Sequence, residues 1–131
     1  MTTFHLQIVT PDGGFYDGNA EKLIVRTLGG DVCILPRHTP YVTTLGTGEA
    51  TVVIDGERRT AACSGGMLAV TQDDVRLVAT TFEWAADIDK SRAQRAKEEA
   101  ERRIQNAKDA NELELAKAKL TRALVRIKTA E

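Results

Sequence analysis

Glycine, proline, cysteine and aromatic residues all stand at or before Trp84 in this chain. Residues 85–131 contain none of them and consist mainly of alanine, charged residues and a few aliphatic ones. Because glycine and proline mark turns and break helices, the chain can reverse direction often in the first part and rarely in the second. The composition therefore predicts two parts, a turn-rich one over residues 1–84 and a helical one over residues 85–131.

The charge changes at the same border. Residues 1–84 hold 6 lysines and arginines against 10 aspartates and glutamates, a net charge of −4, whereas residues 85–131 hold 12 against 9, a net charge of +3. The sum is the −1 of the whole chain, which argues against a nucleic-acid binder held by bulk electrostatics. The N-terminus does not resemble a signal peptide, and no apolar run reaches the roughly 20 residues of a membrane span. We expect a soluble cytoplasmic protein that reaches a membrane only through a partner, with Cys33 and Cys63 reduced.

Short apolar runs bounded by turn signals fill the first part. Phe4, Leu6 and Ile8 recur at every second position, the period of a half-buried strand. Asp55-Gly56 separates two further strand-like runs, which predicts a type I′ hairpin, and Gln72-Asp73-Asp74 predicts another turn. No helical pattern separates the runs, so we expect an antiparallel sandwich or barrel rather than a parallel sheet.

Two apolar stripes at helical spacing run through the second part. The break between them falls at residues 109–111, where Asn111 is expected to cap the second helix and Glu114 to complete a capping box. Such a short break predicts an antiparallel pair of helices. Since the stripes consist mostly of alanine, the helices would approach closely but bury little apolar area, which favours a mobile element. The stripes are Ala93, Ala96, Ala100, Ile104 and Ala107, then Leu113, Ala116, Leu120, Ala123, Leu124 and Ile127.

No constellation of catalytic or metal-binding residues is recognisable. His5 lies in a strand pattern and His38 in a loop, and neither has a serine or cysteine partner at a nucleophile turn. The two cysteines lack metal-ligand spacing, and turns explain the pairs Gly13-Gly14 and Gly65-Gly66 better than a phosphate-binding loop does. We expect no catalytic residue, no metal site and no obligatory cofactor.

The charges on the helices admit two interpretations. In the first, Asp87 or Asp89 caps the first helix and the remaining charges face solvent. In the second, Arg122 and Arg126, at i and i+4 on one face, converge with Arg92, because an antiparallel pair brings the start of one helix near the end of the other. Guanidinium groups that converge suit phosphate, and a small apolar surface nearby would let the site accept a nucleotide. That surface is formed by Ile88 and Ala93.

Several longer stretches have a specific order and spacing. They are FHLQIVTPDGGFYDGNAEKLIVRT, ILPRHTPYVTTL and SGGMLAV in the first part, and IDKSRA and RALVR in the second. In these stretches, and over essentially its whole length, the chain resembles the bacterial epsilon subunit of F-type ATP synthase. The resemblance implies an α+β fold, with an N-terminal antiparallel β-sandwich followed by a C-terminal antiparallel two-helix hairpin. It also implies a non-catalytic coupling and regulatory subunit of the central rotor stalk, peripheral to the cytoplasmic face of the cell membrane.

The resemblance implies several partners. In this family the sandwich packs on the gamma subunit and its loops rest on the c-ring. The matching stretch is GGDVCILPRH, in which Asp31 and His38 either face the ring or only shape the loop, and Arg37 replaces a usual glycine. The folded hairpin permits ATP hydrolysis; the extended hairpin reaches the catalytic beta and alpha subunits and inhibits.

Some bacterial members of the family bind a regulatory ATP on the folded hairpin, with or without Mg²⁺. In those members the residues toward the base match Glu83, Ile88 and Asp89 here, and the arginines bind the phosphates. Glu99 stands where strong binders carry arginine, so it would repel phosphate or fold back on a neighbouring arginine, and we expect weaker binding. The full matching set is Glu83, Ile88, Asp89, Arg92, Ala93, Arg122 and Arg126.

Two other functions would use the same residues. The chain would be a free-standing adenine-nucleotide sensor if it had no place in a rotor. It would be a purely structural coupling subunit if its hairpin never moved. Size measurements in native lysate separate the first from a rotor subunit, and a cross-link that holds the two helices together separates the second.

Overall fold

The computed structural model describes residues 2–131, which divide into two compact units between Trp84 and Ala85. This order of elements confirms the α+β class, a β-sandwich followed by a two-helix hairpin. The strands of the first unit are β1 Phe4–Thr10, β2 Gly13–Ala20, β3 Lys22–Thr27, β4 Gly30–Ile34, β5 Tyr41–Thr44, β6 Thr47–Ile54, β7 Glu57–Val70 and β8 Asp74–Trp84. The second unit contains a 3-10 turn at Ala85–Asp87 and the helices α1 Lys90–Gln105 and α2 Ala110–Ala130.

The strands follow the order β2-β1-β8-β7-β6-β3-β4, and β5 pairs with β7. The pairing of β1 with β8 is parallel, with Leu6 opposite Val75 and Ile8 opposite Leu77, whereas the other pairings are antiparallel. The expectation of an antiparallel rather than a parallel sheet is confirmed, apart from this one pair, for which the intervening strands return the chain to the side of β1.

Strands from distant places in this order share one core. Phe4, Leu6 and Ile8 of β1 are buried, which confirms the predicted period of two. They belong to the same apolar cluster as Leu23 of β3 and Val52 of β6, although several strands separate β1 from both in the sheet order. The sheet therefore folds over on itself, and its two layers enclose the core as in a sandwich.

Two glycines bend β7 partway along its length. Gly65 has a φ of +66° and Gly66 a φ of +108°, conformations that glycine tolerates best. A Cβ atom on Gly66 would lie 1.8 Å from the carbonyl oxygen of Val78. The interpretation of this pair as a turn is wrong, because both residues lie inside the strand. β7 pairs with β6 before the bend, up to Ser64, and with β5 after it, from Met67.

The turn predicted at Asp55-Gly56 is present. Their φ angles are +52° and +76°, and a type I′ turn requires positive φ at both central residues. The second predicted turn ends earlier than expected, because Asp74 is already the first residue of β8. The amide nitrogen of Asp74 donates to the hydroxyl of Thr71 at 3.1 Å, which closes a shorter turn over residues 71–73.

The second helix begins before the predicted cap. Asp109 is the N-cap of α2, and its carboxylate accepts a hydrogen bond from the amide of Glu112 at 2.8 Å. The Glu112 carboxylate accepts in turn from the amide of Lys108 at 2.9 Å. The prediction of Asn111 as the cap is wrong. An aspartate two residues earlier caps equally well, and the acid three residues after it completes the pattern.

Alanines form the seam between the two helices. Ala93 and Ala100 of α1 and Ala116 and Ala123 of α2 are buried. Each pair is spaced by seven residues, which places both members on one helix face. Among the larger apolar residues of the two stripes, Leu124 is 45% exposed and the others are half-buried, namely Ile104, Leu113, Leu120 and Ile127. Neither helix in residues 2–131 is long and apolar enough to cross a membrane.

His5 lies between two aspartates on the outer face of the sheet. Its Nε2 is 2.5 Å from Asp17 Oδ1 of β2, and its Nδ1 is 2.8 Å from Asp74 Oδ1 of β8. One side chain thus links three adjacent strands. Hydrogen bonds to Asp17 and then to Asp74 raise the pKa of His5 above its ordinary value, because both carboxylates stabilise the imidazolium form.

We expect Gly66→Ala to destabilise the sandwich by on the order of 3 kcal/mol or more, because the new methyl group would overlap a backbone carbonyl. Gly14→Ala is the matched control, since nothing lies within 4 Å of its built Cβ. Urea unfolding of the full chain measures both. Equal stabilities of the two variants would contradict the close approach at Gly66.

The charge of His5 should make the stability of the sandwich depend on pH. Because the folded-state pKa is raised, the stabilisation is fully present below the unfolded pKa of about 6.5 and is lost as pH rises through the folded pKa. The difference in melting temperature between wild type and His5→Gln should therefore shrink with increasing pH. In an NMR titration, Asp17→Asn should lower the pKa of His5 more than Asp74→Asn does. A difference in melting temperature that grows with pH would refute this role.

Candidate functional site

Asp89 fixes the start of α1. Its Oδ1 accepts a hydrogen bond from the amide of Arg92 at 3.1 Å, and the amide of Ala93 donates to its carbonyl oxygen at 3.0 Å. Of the two candidate caps, Asp89 is therefore the one used, and Asp87 lies in the preceding turn. Asp89 and Arg92 are exposed, Ile88 is half-buried and Ala93 is buried. The segment thus presents a charged side next to a small apolar one.

Arg122 and Arg126 lie one turn apart on α2, and both are half-buried. They line a groove of about 260 Å³ between the two helices. Small alanines on the α1 side leave this groove open between longer charged side chains. The other lining residues are Ala96, Glu99, Ala100, Arg103 and Lys119.

The structure brings together two of the predicted phosphate ligands. Arg122 and Arg126 share the groove, whereas Arg92 is not among the described residues that line it. Glu83 lies in β8 of the first unit, opposite Ala62 of β7. The convergence of Arg92 with the two arginines of α2 stays a prediction.

Glu99 folds back on a neighbouring arginine. Its Oε1 is 2.7 Å from Nη2 of Arg103, one turn further along α1, and the two side chains are 54% and 51% exposed. Of the two outcomes considered for an acid at this position, the structure thus shows the ion pair. Such exposed pairs are weak, because solvent screens the charges and both side chains lose conformational freedom.

The sequence interpretation missed two members of the groove. Arg103 lies four residues after Glu99, and Lys119 lies three residues before Arg122, so each is one helical turn away from a position that the sequence analysis considered. Helical spacing was the signal in the sequence that could have indicated these two residues. Many other charged residues of the two helices have the same spacing, so it does not single them out. The groove holds four cationic side chains and one carboxylate, a formal excess of +3. An arrangement of this kind attracts a multivalent anion.

Asp31 pairs with an arginine of the adjacent strand. It lies opposite Arg26 in the β3–β4 ladder, and its Oδ1 is 2.8 Å from Nε of that arginine. Both side chains are exposed to solvent by more than half. The carboxylate is therefore held at the surface of β4, where a partner can reach it.

His38 and Arg37 lie in the turn after β4. Nδ1 of this half-buried ring donates to the carbonyl oxygen of Thr39 at 2.8 Å, which fixes the orientation of the His38 side chain. Arg37 has a φ of +66°, the left-handed conformation that a glycine would adopt without strain. The loop therefore keeps a glycine-like backbone although an arginine occupies the position.

Exposed apolar side chains cover part of the sandwich surface. Met67 of β7 and Val9 of β1 both lie opposite Val78 of β8, and Val42 of β5 lies opposite Ala69, two residues after Met67. Paired residues and residues two apart share one face of a sheet. Val42, Met67 and Val78 are 64%, 52% and 41% exposed. We refer to these five residues as the outer apolar face.

Two domain families match the chain, one after the other. The family described as "ATP synthase, Delta/Epsilon chain, beta-sandwich domain" matches residues 3–85. The family described as "ATP synthase, Delta/Epsilon chain, long alpha-helix domain" matches residues 86–131. The sheet and the helical hairpin are thus each matched by a family of the corresponding architecture.

Individual relatives match over nearly the full length. An "ATP synthase epsilon chain" of Caldicellulosiruptor bescii is 37% identical over 131 residues, covering 100% of this chain and 96% of the relative. One of Bacillus velezensis is 42% identical over 130 residues, covering 99% of this chain and 98% of the relative.

Two solved structures share the fold at low sequence identity. A chain in the cryo-EM structure of Euglena gracilis mitochondrial ATP synthase, with OSCP, F1 and c-ring, superposes with a TM-score of 0.80 at 21% identity, covering 92% of this chain and 77% of that one. A chain in the central stalk and c-ring structure from Tetrahymena thermophila gives 0.69 at 12% identity, covering 99% and 98%.

Proposed function

The chain belongs to the ATP synthase delta/epsilon family, and from this premise we propose that it is the epsilon subunit of the central rotor stalk of an F-type ATP synthase. The observation that carries the proposal is the match of both domain families, in order, over residues 3–131. The subunit has no catalytic role of its own. Within the complex it couples and regulates, and it lies at the cytoplasmic face of the membrane without entering it.

The outer apolar face is the surface that packs on the gamma subunit. Isolated exposed apolar residues are common, but here several of them adjoin one another across β1, β8, β7 and β5. The core of a stable protein interface is apolar and poor in charge, which fits this surface. Gamma is the appropriate occupant, because the solved relatives come from ATP synthase assemblies that include the central stalk or F1.

The β4 strand and the turn after it face the loops of the c-ring. Asp31 presents a carboxylate held by Arg26, and His38, seven residues further along the chain, presents its imidazole ring. Both groups are polar and reachable, as contacts with polar loops of a membrane ring require. Arg37, held in a glycine-like conformation, adds a positive charge at this edge.

The helical hairpin regulates hydrolysis by leaving its folded form. Its seam is built from alanines, so little apolar area is lost when the helices separate. Its residues carry a net charge of +3, which suits contact with acidic surfaces of the catalytic beta and alpha subunits. In this proposal the folded hairpin permits hydrolysis and the extended hairpin blocks it, the behaviour of a two-state element.

ATP, with or without Mg²⁺, is the ligand that favours the folded hairpin. A ligand stabilises the state that it binds, so a site made by two helices together holds them together. The residues proposed on α1 offer an apolar side and a charged side, and those on α2 offer two guanidinium groups in a groove. Glu83 remains an expectation from the family resemblance. The proposed residues of the hairpin are Ile88, Asp89, Arg92, Ala93, Arg122 and Arg126.

Met67→Glu, or Val78→Glu, should weaken binding to the cognate gamma subunit at least roughly ten-fold, because a charge would enter an apolar interface. Leu28→Glu is the matched control, since Leu28 is 77% exposed outside the outer apolar face. Co-expression with tagged gamma followed by size-exclusion chromatography measures the complex. If the Met67 and Val78 variants co-elute with gamma as fully as the control does, the outer apolar face is not the interface.

Truncation after Ile88 should leave a folded sandwich and raise ATP hydrolysis by the assembled enzyme roughly five-fold or more, because the inhibitory element is gone. The assay compares enzyme reconstituted with the full chain and with the truncated chain at equal occupancy. Circular dichroism of the truncated chain provides the control for folding. Hydrolysis no faster than with the full chain would argue against inhibition by the hairpin.

A further inference from the structure

A charged cluster lies on the same side of the sheet as the outer apolar face. His5 lies four residues before Val9 in β1, so both side chains face that side. Asp74 and Val78 are related in the same way in β8, and the β1–β8 ladder is continuous over these positions. The two pairs are therefore separated by roughly 13 Å along the strands. Asp17 of β2 contacts His5 from the other side, and we refer to His5, Asp17 and Asp74 as the His5 cluster.

The geometry of the His5 cluster requires a protonated imidazole. Nε2 of His5 is 2.5 Å from Asp17 Oδ1, and Nδ1 is 2.8 Å from Asp74 Oδ1. A neutral imidazole has one N–H donor and one acceptor nitrogen, whereas the imidazolium form has two donors. Because an ionised carboxylate only accepts, the imidazolium form alone satisfies both contacts. Loss of the proton turns one of the two hydrogen bonds into a repulsion between acceptors.

Deprotonation of His5 also changes the charge at this end of the face. The charged groups that act on His5 are Asp17 from β2 and Asp74 from β8. Arg76 lies two residues after Asp74 on the same side of β8, opposite Ala69 of the outer apolar face. With His5 protonated, the two carboxylates are balanced by His5 and Arg76. With His5 neutral, the same four side chains carry a net charge of −1.

Contact with a partner would take this end of the face out of water. A cluster whose charges are balanced and hydrogen-bonded loses less free energy on burial than a cluster with an unpaired carboxylate. A partner that covers the cluster therefore binds its protonated form more tightly. Binding and protonation are then linked, and the partner in turn raises the affinity of His5 for its proton.

We propose that the His5 cluster is the polar rim of the gamma-binding face and that the grip on gamma depends on the protonation of His5. The proposal rests on the proposed gamma interface and deepens it, since it adds a charged part to the outer apolar face and makes the interface sensitive to pH. The protonated cluster accepts gamma, whereas the deprotonated cluster presents an uncompensated carboxylate that resists burial.

The sign of the pH dependence follows from the same contacts. The hydrogen bonds to Asp17 and then to Asp74 raise the pKa of His5 above its ordinary value of about 6.5. Gamma binding is therefore tightest below that value and weakens as pH rises through the pKa of His5. At the pH of the transition, a small change in proton concentration changes the fraction of chains that hold gamma firmly.

The test measures the affinity of the full chain for its cognate gamma subunit from about pH 6 to about pH 9, a range that spans the titration of His5. The wild type should bind roughly ten-fold more weakly at the upper end of this range. His5→Gln should bind weakly throughout, because it carries no charge. His5→Lys should bind tightly throughout, because its ammonium group stays protonated between the two carboxylates. The same gamma preparation is used in all measurements, so the titration of gamma itself cancels in the comparison.

The second histidine provides the matched control. The chain has two histidines, and His38 lies in the turn after β4, outside the outer apolar face. His38→Gln should keep the pH dependence of the wild type. Circular dichroism at each pH confirms that every variant keeps its sheet. In an NMR titration the pKa of His5 should be higher in the complex with gamma than in the free chain, a shift that a histidine with a purely structural role would not show.

The outcomes separate this inference from the interface on which it rests. If Met67→Glu and Val78→Glu bind gamma as tightly as Leu28→Glu does, the gamma interface and its rim both fail. If those two variants bind weakly but the wild type and His5→Gln share one pH dependence, only the rim fails. An equal pKa of His5 in the free chain and in the complex would overturn the rim as well. A pH dependence that disappears in both His5 variants, together with a raised pKa in the complex, supports it.

Discussion

The alanine seam between α1 and α2 is the constraint on which the behaviour of the hairpin depends. The side chain of each buried residue in this seam is a single methyl group. These residues are Ala93 and Ala100 of α1 and Ala116 and Ala123 of α2. Such a seam allows close approach of the helices but contributes little hydrophobic free energy. The caps at Asp89 and Asp109 stabilise each helix separately rather than the pair. The pairing of the helices is therefore open to control by a ligand that touches both.

The sandwich has the opposite character. Its core draws large aliphatic residues from strands at both ends of the sheet order, and Gly65 and Gly66 bend β7 so that the sheet can fold over. A rigid body of this kind is suited to hold permanent partners through its surface. The same short chain thus combines a firmly packed unit with a loosely packed one, and the proposed functions divide along that line.

Local signals were sufficient for much of this architecture. The Asp55-Gly56 turn, the period of β1 and the alanine stripes all follow from neighbouring residues, because turns and faces depend on local geometry. The parallel pairing of β1 with β8 and the place of Gly66 inside a strand depend on contacts far apart in sequence. Likewise Arg122 and Arg126 share a helix face, which the sequence indicates, whereas the presence of Arg103 in their groove depends on how two helices align. Only the folded structure defines that alignment.

The central claim is that the hairpin has two states and that ATP favours the folded one. Spin labels at exposed positions 101 of α1 and 117 of α2, in a chain whose free cysteines Cys33 and Cys63 are replaced by serine, report the separation of the helices in the assembled enzyme. Pulsed electron resonance should show a single short distance with MgATP and an additional long-distance population without it. One short distance under both conditions would contradict the account.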